Sequence, residues 1–391
     1  MSTRVALYSA VDEELTHYEV DVAGAALARR KSVRTPANVQ EAWLHPSRRY
    51  LYVATSNRGP GLKADANHVS AYRIDPASGE LTQHGEPQPM PHRAVHICVD
   101  ATGSYVLSAH NLPQPGITVH RINADGTLGS QVPQPDSLDY GIYPHQVRIS
   151  PSNRTTILVD RGNRETHGRH EEPGALRLFS FEAGRHGNPS VVAPNGGYGF
   201  GVRHLDFHPT QPWVYVSLES QSMLHMFRMA GERIDAEPAF VRDTLADRAN
   251  LKPKQVAGTI QVHPNGRVVY IANRTDYTVD YQGRKVFGGG ENTITAFSID
   301  AKTGEPTLLQ HADSHCSHHV RTFAFDPGGT LMVAATIKSM AVREGDTVKT
   351  VPAALSVFRV GTDGRLDFVR KYDVDTAGGK THYWMGIVGL D

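Results

Sequence analysis

Apolar and polar positions alternate along most of the chain, in short runs broken by Pro, Gly and Asp. A period of two between such turns is the signature of β-strands. The runs form a phrase that recurs. An alternating strand ends in a His-Pro or Asp-Pro turn, and a second strand rich in Val, Tyr and Ala follows. A third strand of the type Val-x-x-Phe/Tyr-Arg-Ile then leads through an Asp-x-x-Thr-Gly-x-Leu turn into a weaker fourth. One copy is Ala42-Trp-Leu-His-Pro-Ser-Arg-Arg-Tyr-Leu-Tyr-Val-Ala54 with Val69-Ser-Ala-Tyr-Arg-Ile-Asp75, and another is Val95-His-Ile-Cys-Val99 with Ile117-Thr-Val-His-Arg-Ile122. Others begin at Gln146, Leu205, Ile260 and Thr322. The turn positions Pro46, Ala101, Pro151, Pro209, Pro264 and Pro327 recur every 50 to 63 residues, the spacing a four-stranded propeller blade requires.

Six copies are complete, and the two ends supply a seventh. Val5–Ser9 and Thr16–Val20 read as outer strands lacking an inner partner, while Tyr383–Leu390 reads as an inner strand with nothing after it. Joined, they close the ring and leave no free sheet edge. The expectation is an all-β fold: a single seven-bladed β-propeller domain over residues 1–391, with four-stranded blades and one blade shared by both termini. Leu245–Asn250 is the one short stretch that reads as helical.

Charge narrows the range of partners. Lys plus Arg and Asp plus Glu are both 40, so no net basic field points to nucleic acid. No apolar run is long enough to span a membrane. The two cysteines, Cys98 and Cys316, are too few for a disulfide framework, and a reducing cytoplasmic setting is expected. The chain could be a monomer or a homo-oligomer.

Propeller topology gives the disc two distinct faces. The His-Pro and Thr-Gly turns share one, which makes His45, His208 and His263 structural. The other carries the start of each inner strand and the loop between second and third strands. Unusual polar residues gather there: His96, His145, Arg203-His204 and His318-His319-Val-Arg321 at inner-strand starts, and Asn57, His110, Asp160-Arg161, Glu219 and Asn273-Arg274 at second-strand ends. Arginines, histidines and one glutamate at the mouth of a channel suit a small anionic ligand, because Arg grips carboxylate or phosphate in a fork. The loops Arg58–Asn67, Arg161–Pro173, Thr275–Glu291 and Lys338–Val351 are long enough to overhang that mouth. The run His311–His319 has zinc-like ligand types but no standard spacing, so no metal or other cofactor is expected. No Gly-x-Ser-x-Gly elbow or phosphate-cradling glycine loop is present.

The phrases Pro144-His-Gln-Val-Arg-Ile-Ser-Pro151, Gly201-Val-Arg-His-Leu-Asp-Phe-His-Pro209, Val214-Tyr-Val-Ser-Leu-Glu219 and Val269-Tyr-Ile-Ala-Asn-Arg274 resemble the seven-bladed lactonase family, which includes propeller-type 6-phosphogluconolactonases and fungal carboxy-muconate cycloisomerases. Val202 and Leu218 stand where the family phrases have Pro and Asn. The resemblance implies that His145, Arg203, Glu219 and Arg274 line the central pocket, with Arg321 matching a Pro-Arg phrase of the last full blade.

Opening a lactone requires an activated water, a stabilised oxyanion and a protonated leaving oxygen. Hence His145 and Glu219 are expected as the proton-transfer pair and Arg203 and Arg274 as clamps, with Arg321, His204, His319, Asp160 and Arg161 contacting substrate. The expected activity is metal-independent hydrolysis of a small acidic lactone. Cycloisomerisation needs the same groups, and a non-catalytic binding propeller remains an alternative.

Overall fold

The structure is a computed structural model and describes residues 4–59, 64–315 and 318–390; Cys316, and with it part of the His311–His319 run, lies outside them, as do four residues of the Arg58–Asn67 loop. Seven antiparallel sheets form a β-propeller with no α-helix among the described residues. Six sheets follow one another along the chain, each with its inner strand first, beginning at Asn38, Ala94, Pro144, Val202, Val256 and Val320. In the first and fourth blades the outer strand is split into two short pieces. In the closing blade the C-terminal strand His382–Gly389 lies innermost against Val5–Val11, followed by Glu14–Asp21 and Ala26–Arg34. The ring is therefore closed by both termini, and its outermost strand Ala26–Arg34 is one the sequence pattern left unread. The helical stretch reduces to one 3-10 turn, Arg248–Asn250.

Burial grades outward along each blade. The second strands Tyr50–Ser56, Thr155–Asp160, Trp213–Leu218, Val268–Arg274 and Leu331–Thr336 are buried at every position, because neighbouring blades cover both faces. Outer strands such as Arg185–Val192 are mostly exposed. Clusters of buried side chains bridge adjacent blades, so the core is seven interlayers and not one centre.

Two polar staples repeat on the turn-bearing face. His45, His208 and His263 place Nε2 at 3.1, 2.8 and 2.7 Å from the carbonyls of Gly103, Gly266 and Gly329 in the next blade. Second-strand tyrosines Tyr8, Tyr52, Tyr215 and Tyr270 donate to Gly79, Gly126, Gly304 and Gly364, again across a blade boundary. Gly266 shows why glycine is needed. Its φ is 71°, and a Cβ there would meet the His208 ring at 2.6 Å.

The opposite face carries a repeated irregularity. Every inner strand is out of register with its neighbour by one residue near its start. The bulged residues are Gln40, Val95, His145, Arg203, Arg321 and Tyr383, and in the fifth blade the bulge spans Gly258 and Thr259. A β-bulge inserts an unpaired residue and re-aims its side chain. Here the device puts one side chain from each of five blades, Val95, His145, Arg203, Arg321 and Tyr383, at the mouth. Two of the long loops fold into hairpins on this face, Thr278–Tyr281 with Arg284–Phe287 and Met340–Glu344 with Thr347–Val351. They touch each other through Arg343, whose guanidinium lies 4.1 Å from the Tyr281 ring centre.

Candidate active site

The bulges build a cavity of about 230 Å³ lined by Arg93, Tyr143, His145, Arg161, Arg203, Glu219, Arg274, His319, Arg321 and Tyr383, with Val95, Asn111 and Ile337. Nearly all of these come from three equivalent positions per blade. One is the bulged residue. The second directly precedes the paired start of the inner strand and gives Arg93, Tyr143 and His319. The third lies one step beyond the last paired residue of the second strand and gives Asn111, Arg161, Glu219 and Ile337. Backbone bonds from the amides of Arg161, Glu219 and Ile337 to the carbonyls of Tyr143, Gly201 and His319 hold the second and third positions together.

Glu219 is the hub. Its Oε1 accepts from Arg203 Nε at 3.0 Å and Arg274 Nη2 at 2.7 Å, and its Oε2 accepts from Arg161 Nη1 at 3.0 Å. Burial alone would raise this carboxyl, but the three guanidiniums outweigh it and hold the pKa at about 2. Arg203 is only 1% exposed and its charge is disfavoured by burial and by Arg274; the ion pair with Glu219 opposes both. The pair stays ionised, because losing either charge strands the other in the interior. Arg161 also stacks over Tyr143, 4.1 Å from the ring centre.

The histidines are kept neutral. Burial, then Arg203, His204, Arg161 and Arg321, depress His145 well below the usual imidazole value, and its Nδ1 has no partner among the described residues. Its ring meets His204 edge-on at 5.2 Å. His319 sits at φ 68°, its amide donating to Asn292 Oδ1, and its Nε2 is 3.0 Å from Arg274 Nη1. Arg only donates, so that nitrogen is the acceptor and the proton resides on Nδ1. Burial and Arg274 lower its pKa accordingly.

Two further guanidiniums have no carboxylate partner among the described residues. Arg93 donates from Nε to Gln40 Oε1 at 2.7 Å and from Nη2 to the Tyr383 hydroxyl at 3.0 Å. Arg321 lies 4.0 Å over the Tyr383 ring, its Nε 3.4 Å from the Tyr383 carbonyl. Beneath this tier a channel of about 550 Å³ runs through the disc toward the turn-bearing face, lined by Glu41, His96, Gln146, His204 and Trp384. Burial lifts Glu41 to about 7, against the pull of Arg321.

The fold thus brings His145, Arg203, Glu219, Arg274, Arg321, His319 and Arg161 into one cavity. His204 lies one tier lower, in the channel, with Arg203 Nη1 against its ring at 3.1 Å. Asp160 does not reach the cavity. It is fully buried, accepts from the amides of Ile142, Tyr143 and Gly162, and pairs with Arg177. Its side chain turns into the blade, where Arg177 and the three amides take its oxygens. The members of the His311–His319 run separate, His311 bonding Thr295, His315 stacking on Phe368 and His318 packing tilted against Phe287. No cluster of metal-ligating side chains forms among the described residues, and none of their helices is long and apolar enough to cross a membrane. Sequence reasoning missed Arg93, Tyr143, Glu41 and Tyr383. A register alignment would have found Tyr383, since His382-Tyr-Trp384 occupies the place of Pro144-His-Gln146.

The sequence model of the family described as lactonase, 7-bladed beta-propeller, matches residues 4–344. The 6-phosphogluconolactonase of Pectobacterium carotovorum subsp. carotovorum (strain PC1) is 26% identical over 370 residues, covering 92% of this chain and 91% of its own. That of Yersinia pestis (strain Pestoides F) is 25% identical over 342 residues, 79% of this chain and 94% of its own. The periplasmic gluconolactonase of Pseudomonas aeruginosa shares the fold over 100% of both chains, with a TM-score of 0.73 at 20% identity. A protein from Lactobacillus plantarum does so over 99% of both, at 0.66 and 18%.

Proposed function

The chain belongs to the lactonase family of seven-bladed β-propellers, and on that premise we propose that it hydrolyses a small acidic lactone, a sugar lactone such as 6-phosphogluconolactone or a lactone of aromatic breakdown. The observation that carries the reading is the charge of the cavity. Five guanidiniums face one ionised carboxylate, Glu219, and two of the five lack any carboxylate partner among the described residues. Buried like charge of that size calls for an anionic ligand. Relatives named 6-phosphogluconolactonase, similar across most of the chain, support the same class.

In this reading His145 is the general base. Its ring is neutral and lines the cavity, and binding an anion beside the arginines would raise its pKa toward the working range. Glu219 is too acidic to take a proton near neutrality, and its part is to hold Arg203, Arg274 and Arg161 in place. The expected pair of His145 and Glu219 therefore becomes a base and a positioning residue. Arg203 and Arg274 face the developing oxyanion, a contribution worth roughly 10²–10³ in kcat for a well-placed donor. Arg93 and Arg321 take the substrate's anionic group. Guanidiniums supply the electrostatics, so the reaction as proposed needs no metal.

Proton release in weak buffer, measured across phosphorylated and unphosphorylated γ- and δ-lactones, tests this. The wild type should release acid with and without chelator, and His145→Ala and Arg274→Ala should lose at least about 10²-fold. Silence across the panel would overturn hydrolysis and leave cycloisomerisation as the next reaction to assay.

A further inference from the structure

The closing strand places Tyr383 where the other blades place His145, Arg203 and Arg321. All four are the bulged residue of their inner strand, unpaired in the ladder and turned to the mouth. We propose that Tyr383 is a further catalytic residue, the acid that gives its phenolic proton to the departing ring oxygen of the lactone. The proposal rests on the lactone-hydrolase reading above and adds to it the group that reading left unassigned.

The hydrogen bonds of Tyr383 differ from those of the buried second-strand tyrosines. Tyr8, Tyr52, Tyr215 and Tyr270 each donate to a glycine carbonyl, which ties up the proton. Tyr383 accepts, from Arg93 Nη2 at 3.0 Å, and its own hydroxyl hydrogen has no acceptor among the described residues. Tyr383 lines the mouth cavity, the space a substrate would occupy. Arg321 over the ring and Arg93 at the oxygen are placed to stabilise a phenolate. Burial raises the phenol, yet Arg321, Arg93, Arg203 and Arg274 outweigh it and hold it below the ordinary tyrosine value. The second-strand tyrosines are shifted the opposite way. Charges of both signs lie near Tyr383 on two sides: Asp12, Asp276 and Lys338 line an adjoining cavity, and Glu41 lies below in the channel.

The step balances. Water attacks the carbonyl carbon and loses a proton to His145. The ring C–O bond breaks with its electron pair going to oxygen, which takes the proton of Tyr383. Return of the proton from imidazolium to phenolate restores both groups. The proton that reaches solvent is that of the new carboxylic acid.

The leaving group provides the test. An aliphatic δ-lactone expels an alkoxide that needs the acid, whereas dihydrocoumarin, an aryl δ-lactone, expels a phenolate with a pKa of about 10 that does not. Tyr383→Phe, which removes one oxygen, should lower kcat on the aliphatic lactone by about 10²–10³-fold with KM nearly unchanged, and on dihydrocoumarin by less than about tenfold. Tyr383→His, which keeps a proton donor, should recover part of the loss. Ultraviolet titration gives a readout independent of turnover: the wild type should show one tyrosine ionising early, absent from Tyr383→Phe. Equal rates for wild type and Tyr383→Phe on the aliphatic lactone, or an equal loss on both substrates, would overturn the proposal while leaving hydrolysis standing. If the wild type opens neither lactone nor any of the wider panel, the hydrolase reading fails and the acid role with it, whatever the titration shows. Should Tyr383→Phe not fold, the wild type's kcat/KM decides. An alkaline limb below pH 10 that rises in Arg93→Gln supports the role, and no such limb removes it.

Discussion

Glu219 and Glu41 are carboxyls of the same disc, both within the field of Arg203, and their surroundings push them in opposite directions. Glu219 accepts from three guanidiniums and has a folded pKa of about 2, below the ordinary 4.5. The folded state then binds fewer protons than the unfolded one. Its contribution of about 3 kcal/mol is present above pH 4.5 and is lost as pH falls toward 2. Glu41 is lifted to about 7, so the folded state binds more protons between 4.5 and 7, and stability drops as pH rises through that window. Urea denaturation over a pH series separates them. Glu219→Gln should lose about 3 kcal/mol at pH 7 and flatten the acid slope, and Glu41→Gln should gain up to about 3 kcal/mol above pH 7. A gain for Glu219→Gln or a loss for Glu41→Gln would mean that the carboxyls are assigned wrongly. Arg161, Arg203, Arg274, Arg321 and the histidines of this site were legible in the sequence because polar residues at strand ends stand out against apolar runs, whereas Arg93 was not read. Tyr383 and Glu41 were not. Tyrosine fits any strand, and a carboxyl beside Ala42-Trp43 reads as an ordinary alternating polar position.

The inner strand does two jobs at its two ends. The bulge at one end aims a side chain into the site, and the His-Pro turn at the other fastens the blade to its neighbour. The turn was legible as a repeat, and its histidines were read as structural for that reason. The bulges were not, because one extra residue leaves no mark in a period-two pattern unless the register of the partner strand is known. Because the two ends lie on opposite faces, stability and activity should respond separately. Gly266→Ala adds a Cβ at 2.6 Å from the His208 ring at a φ of 71°. It should cost about 2 kcal/mol or more, read as a lower urea midpoint, with kcat and KM unchanged below the transition. A change in KM at full folding would show that strain crosses the disc.

Across the whole molecule the formal charge is zero, with 40 basic and 40 acidic residues, yet the mouth holds five guanidiniums against one ionised carboxylate. The composition excluded a general basic field and could not reveal this local one, since it depends on the ring bringing Arg93, Arg161, Arg203, Arg274 and Arg321 together from five blades. What composition hides, ionic strength exposes. The low-dielectric walls of a cavity focus its field toward the opening, and salt screens the part that reaches into solvent. Between about 0.01 M and about 0.1 M salt the Debye length falls from about 30 Å to about 10 Å. Over that range kcat/KM for an anionic lactone should fall by about tenfold while kcat holds, because the clamps around Glu219 are buried from the screening ions. A neutral lactone of the same ring should show no such fall. If it loses as much as the charged one, salt is acting on the fold, and the arginine mouth would no longer account for how substrate is drawn in.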